Sequence, residues 1–134
     1  MIDYEEFEKE AEEQRKQNSK MIEEFEVYLK DKGLSQKTVK KHSSNIAFFV
    51  DDYLIYDDVL KPEDGITHIG MFLDFWFPRK AMWASPAHVN DYCAGFKKFY
   101  SFLLEKGLIE KEEYREMLED IKENKVDWQR SNSF

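Results

Sequence analysis

Three histidines, one cysteine and a few acidic pairs are the residues of this sequence whose types suit catalysis or metal binding. None of His42, His68 and His88 has a second His or Cys three or four residues away. That spacing is what places two ligands on one helix face, so no metal site is expected. His42 falls between Val39 and Ile46 on an apolar helix face. A hydrogen-bonded, partly buried imidazole is the favoured reading there. Cys93 lies in the middle of an apolar stripe and reads as a small core residue, not a nucleophile. The pairs Asp57-Asp58 and Glu63-Asp64 lack the alternating oxygen ligands and closing Glu of a calcium loop, and read as turn formers. No glycine-rich phosphate loop is present. Enzymatic activity, a cofactor and a small-molecule substrate are therefore not expected.

The lysines say more. The chain carries 20 Lys and Arg against 28 Asp and Glu, a net charge of −8, which opposes generic nucleic-acid binding. The deficit is uneven. Positions 1–33 are net −5, 54–78 net −4 and 107–134 net −3, whereas 34–53 are net +1 and 79–106 net +3. In the first of the non-acidic stretches Lys37, Lys41, Ser44 and Phe48 are spaced by 4, 3 and 4, one stripe of a helix opposite its apolar face. In the second, Lys97 and Lys98 fall outside the apolar stripe, with Asn90 and Ser101 beside Lys97 and Phe102 also away from the core. Such a face is either solvated or a phosphate-contacting strip carrying an aromatic.

The elements that position these residues follow from composition and periodicity. A chain of 134 residues with 16% aromatics can bury one core without staples, and 5 Gly with 3 Pro leave room for few turns. The expectation is an all-α fold, a compact bundle of four to five helices. Gly33 ends a first helix as a left-handed C-terminal cap. Ser35 caps a second, running to about Tyr53, with Leu34 and Val39 as its hydrophobic staple. A third, about Ile66 to Phe77, is so apolar that it must be covered on most sides, with Phe72, Leu73 and Trp76 central. Ser85-Pro86 opens a fourth that ends at Gly107, and a fifth runs from about Glu110 to Asn124. Ser35, Val39, Ile46, Phe49 and Val50 recur fifty residues later as Ser85, Val89, Phe96, Phe99 and Tyr100. The echo is either generic to capped amphipathic helices or marks equivalent roles of the second and fourth.

Tyr4, Phe7, Ala11, Gln14, Asn18, Met21, Phe25 and Tyr28 step by three and four, a heptad seam with a polar middle. The favoured division is an acidic N-terminal helical extension over 1–18, a core domain over 19–124 and a flexible tail over 125–134. The alternative is a long helix whose first half meets a protein partner or a second copy. The acidic start has no secretion-signal pattern, and the longest uncharged stretch is Ala81 to Asn90. No membrane span is expected, and a lone Cys93 fits a reducing cytoplasm.

Phe25-Glu26-Val27-Tyr28-Leu29, then Gly33-Leu34-Ser35-Gln36-Lys37-Thr38-Val39 and Asn45 to Phe49, resembles the N-terminal SAM-like core-binding domain of tyrosine recombinases and phage integrases. The segment Ser85 to Ile109, ending Phe99-Tyr100-Ser101-Phe102-Leu103-Leu104-Glu105-Lys106-Gly107-Leu108-Ile109, resembles the last long helix of that domain and its exit. The likeness covers roughly Met21 to Lys122. It implies a helical bundle that clamps one side of double-stranded DNA in integration and recombination. Its second and fourth helices would touch phosphates, with Lys37, Thr38, Lys41, His88, Lys97 and Lys98 as the contacts. The family's catalytic H-x-x-R motif has no counterpart, because Asn45, Met71 and Asp91 follow the three histidines. No strand transfer is expected from this chain.

Overall fold

The computed structural model describes residues 3–134, and over these it is all-helical. The chain forms two compact units, the first ending at Gly65 and the second spanning Ile66–Phe134. Each unit pairs long helices that are neighbours in sequence and joined by short turns, so most packing closes locally at low loop entropy.

In the first unit, α1 (Tyr4–Asp31) and α2 (Gln36–Phe48) flank Gly33, which adopts φ +88°. Leu34 N–H bonds to the Leu29 carbonyl at 3.2 Å and Gly33 N–H to Lys30 at 2.9 Å, the paired bonds of a Schellman stop. The Ser35 hydroxyl then accepts from Thr38 N–H at 3.3 Å and caps α2. A π-helical turn, Phe49–Tyr53, extends α2, with Leu54 N–H reaching the Phe49 carbonyl at 3.0 Å. The division at residue 18 does not survive. The first helix is continuous through it, and Ala11, Gln14 and Asn18 are buried. The polar middle of the seam is an amide relay. Gln14 Nε2 donates to Asn18 Oδ1 at 2.9 Å, while Asn18 Nδ2 donates to the Val50 carbonyl at 3.3 Å and to Asp51 Oδ1 at 3.0 Å. Those bonds satisfy groups where α2 runs out of helical partners.

The second unit contains α3 (Ile69–Met71), a π-helical turn (Phe72–Trp76), α4 (Phe77–Lys80), α5 (Pro86–Glu105) and α6 (Lys111–Ser131). The expected third helix is thus not one regular helix, and it continues past Pro78. Proline has no N–H and crowds the preceding turn, which is why the ladder widens there. Phe77 N–H goes to the Phe72 carbonyl. Leu73 is left without a donor from Pro78, and Asn132 Nδ2 supplies one at 2.8 Å. Phe72 is the hub of the unit's aromatic core, with ring centroids 5.2 Å from Tyr92, 5.5 Å from Phe77 and 6.2 Å from Phe96.

Two further expectations change. The third segment is not covered on most sides, because Met71 and Phe75 are 60% and 52% exposed and Trp76 is only half-buried. The helix richest in buried side chains is α5, including Val89, Tyr92, Cys93, Phe96, Phe99, Tyr100 and Leu103. The flexible tail over 125–134 is instead helix as far as Ser131. Met117, Ile121 and Trp128 are spaced by four and seven, so one apolar face passes straight through Asn124, and Trp128 and Asn132 are buried.

The two π-helical turns repeat one another locally. Phe49-Val50-Asp51-Asp52-Tyr53 and Phe72-Leu73-Asp74-Phe75-Trp76 each stack their first and fifth rings, at 5.7 Å and 5.8 Å. In each the second carbonyl accepts from a buried Asn, and the third residue, Asp51 or Asp74, accepts from Asn18 or Ser131. This echo has a period of 23, not fifty.

Candidate functional site

On α2 the cap and the apolar stripe orient the lysines. Val39, His42, Ser43 and Ile46 are buried, which turns Lys37, Lys41 and Ser44 to solvent and leaves Phe48 half-buried. Lys37 and Lys41, four residues apart, share that outer face. Thr38 is differently placed. It belongs to the cap, its N–H donating to the Ser35 hydroxyl and its Oγ1 accepting from it at 3.0 Å.

On α5 the same construction recurs. The Ser85 hydroxyl accepts from His88 N–H at 3.2 Å and shares a 2.7 Å hydrogen bond with His88 Nδ1. His88 therefore occupies the cap position that Thr38 holds on α2, and both are committed to holding a helix end. The fifty-residue echo accordingly extends to the caps and to the buried positions from Val39/Val89 to Val50/Tyr100. Lys97 is exposed and Lys98 half-buried beside it on the helix. Phe102 corrects the expectation of an outward aromatic. It is buried, its ring 6.3 Å from Phe99, with Lys106 Nζ lying 5.6 Å from its centroid.

The electrostatics of the remaining candidates are those of structure. Burial pushes the Cys93 thiol up to about 11, against the smaller opposing pull of Lys125 and Lys97. A thiol held protonated at neutral pH is a poor nucleophile. Asp52 is raised by desolvation and then by the neighbouring Asp51, with Arg15 pulling the other way. His42 is buried on the core face of α2. A groove of about 230 Å³ between Ile66, Thr67, Glu113, Glu116, Met117 and Asp120 presents three carboxylates, which repel phosphate. Among the described residues no group of three His, Cys, Asp or Glu side chains could hold a metal ion, and no helix is long and apolar enough to cross a membrane.

Sequence reasoning missed a surface in the second unit. Met71, Phe75, Met82 and Trp83 are each at least half exposed and lie within thirteen residues of chain, interleaved with exposed Arg79 and Lys80. The Arg79 guanidinium carbon sits 3.9 Å from the Phe75 ring centroid, and its Nη1 donates to the Phe75 carbonyl at 2.9 Å. The signal was the run Phe75-Trp76-Phe77-Pro78-Arg79-Lys80-Ala81-Met82-Trp83, where a pair of cations is flanked by rings. An all-apolar reading of the helix concealed it. No family model matches this chain, and no curated protein or solved structure matches it either.

Proposed function

We propose that the chain is a non-catalytic DNA-binding module that contacts duplex phosphates through α2 and α5, in the manner of the recombinase core-binding domains it resembles. The observation that supports this reading best is charge placement. In a chain of net charge −8, the only stretches that are not acidic are the two that hold α2 and α5, and their Lys37, Lys41 and Lys97 are exposed. The segregation favours a polyanionic ligand over bare solvation. Thr38 and His88 act on that ligand indirectly, by holding the helix ends from which the lysines project.

Phosphate contacts release counterions, so the observed constant should fall with salt by about 0.9 logarithmic units per contact. Three to five contacts give a slope near −3 to −4.5. The acidic remainder weakens the approach, and dissociation constants of about 10⁻⁴ to 10⁻⁶ M with slight sequence preference are expected. A low-salt fluorescence-anisotropy titration against labelled duplex tests the proposal. The chain with Lys37, Lys41, Lys97 and Lys98 all changed to Glu should lose binding while keeping its helical circular dichroism. Equal binding by that variant, or none by the parent chain, overturns the reading.

The rival role, a protein-interaction module built on the N-terminal seam, has less to stand on. Gln14 and Asn18 are engaged by the first unit itself, and Ala11 is buried. Sedimentation of the chain with and without 1–17 separates the two, since only the interaction module loses self-association on deletion.

A further inference from the structure

The exposed surface on the second unit suits a ligand with flat, apolar faces and negative charge. Met71, Phe75, Met82 and Trp83 are 60%, 52%, 100% and 51% exposed. Their cost in water is unexplained by packing, since Phe72 and Phe77 already fill the adjoining core. Arg79 is held over the Phe75 ring from behind by its bond to the Phe75 carbonyl, so its guanidinium is preorganised. A guanidinium fixed on a ring continues the stacking surface and adds a charge to it. Trp83 is likewise seated, edge-on to Phe77 with centroids 6.3 Å apart. Lys80, next to Arg79 in sequence, is exposed. Exposed rings beside cations are the features on which unpaired bases stack while their phosphates are neutralised.

We infer that the segment Met71–Trp83 is a stacking platform for unpaired nucleobases, with Phe75, Arg79 and Trp83 as its contacts. The occupant is chosen by charge complementarity. Within Met71–Trp83, Arg79 and Lys80 outnumber Asp74, a net of +1 in a chain of net −8, and a polyanion whose bases carry π faces satisfies both the cations and the rings. This rests on the nucleic-acid reading above and refines it. The lysines of α2 and α5 would hold duplex phosphates, while this platform would take bases from a frayed, gapped or single-stranded stretch.

The test compares an intact labelled duplex with the same duplex bearing a short single-stranded tail, by anisotropy at fixed low salt. The parent chain should bind the tailed duplex about 5- to 150-fold more tightly, the range for one stacked base. Phe75→Leu with Trp83→Leu keeps apolar volume but removes the rings. This variant should bind both probes alike while retaining the salt slope of the parent. Arg79→Gln, which is exposed and leaves the core untouched, should lower the preference in the same direction. Equal binding of the two probes by the parent chain overturns the inference but leaves the phosphate reading standing, whereas binding of neither probe removes both. Co-sedimentation with vesicles of anionic and zwitterionic lipid that depends on Trp83, without any preference for the tailed probe, assigns the surface to a membrane and also overturns it.

Discussion

Asn132 donates its side-chain amide to the carbonyl of Leu73 at 2.8 Å, across 59 residues of sequence. The same nitrogen also donates to the Trp128 carbonyl at 2.8 Å, so one side chain fastens the end of α6 to the π-helical turn. The bond lies where helical geometry fails, because Pro78 cannot donate. Asn18 does the same for Val50, 32 residues away in the first unit. Both units therefore complete an irregular turn with an amide borrowed from a long helix at the chain's end.

Asn132→Ala leaves the buried Leu73 carbonyl without this donor but also removes Asn132 Oδ1, which is itself buried without a partner. The two effects oppose. A net loss of about 1 to 2 kcal/mol in urea denaturation is expected. A change below about 0.5 kcal/mol would mean the bond is dispensable to stability.

Phe72→Ala should cost about 3 to 5 kcal/mol, since the ring is fully buried and packs against the rings of Trp76, Phe77, Tyr92 and Phe96. Trp76→Ala should cost less, because Trp76 is only half-buried whereas Phe72 is fully buried. Paired denaturant titrations check the order, and a larger loss at Trp76 would move the centre of this core.

Trp128→Ala should destabilise the chain by about 3 to 5 kcal/mol, as loss of a buried ring does. A Cβ at Gly70 would come within 3.2 Å of Trp128 Cζ2, so the ring fits against helix backbone. A thermal melt in which truncation after Asn124 changes nothing would contradict this placement.

Cys93 should resist alkylation in the native chain at pH 8. Its thiol is buried and pushed up to about 11, so thiolate forms almost only when the chain opens. Iodoacetamide labelling followed by mass spectrometry should proceed readily in denaturant and slowly without it. Equal rates would show that the α5 core opens freely.

Asp52 holds its proton more tightly folded than unfolded, because burial and Asp51 disfavour its charge. Its contribution to stability is therefore unfavourable at neutral pH and vanishes below the ordinary value of 3.8. Asp52→Asn should stabilise the chain at pH 7 and lose that advantage as pH falls towards the ordinary value of 3.8, below which none remains. Denaturation curves that keep a constant difference across this range would rule out the titration.

Local physics made much of this protein legible in its sequence. The all-helical class, the Ser35 and Ser85 caps, the stops at Gly33 and Gly107, and the outward Lys37 and Lys41 all depend on groups within about five residues of one another. Gly107, at φ +76°, closes α5 with the same paired bonds as Gly33, Leu108 N–H to Leu103 and Gly107 N–H to Leu104, both at 3.0 Å. Tertiary structure alone decided the rest. Whether Met71 and Phe75 are core or surface depends on which neighbours reach them, and periodicity within an apolar segment cannot rank its faces. The buried roles of Asn18 and Asn132 depend on carbonyls 32 and 59 residues away. An amide reads as polar surface in sequence. It becomes a core residue only where folding strands a backbone oxygen beside it, because an unpaired buried carbonyl costs more than ordering the amide that satisfies it.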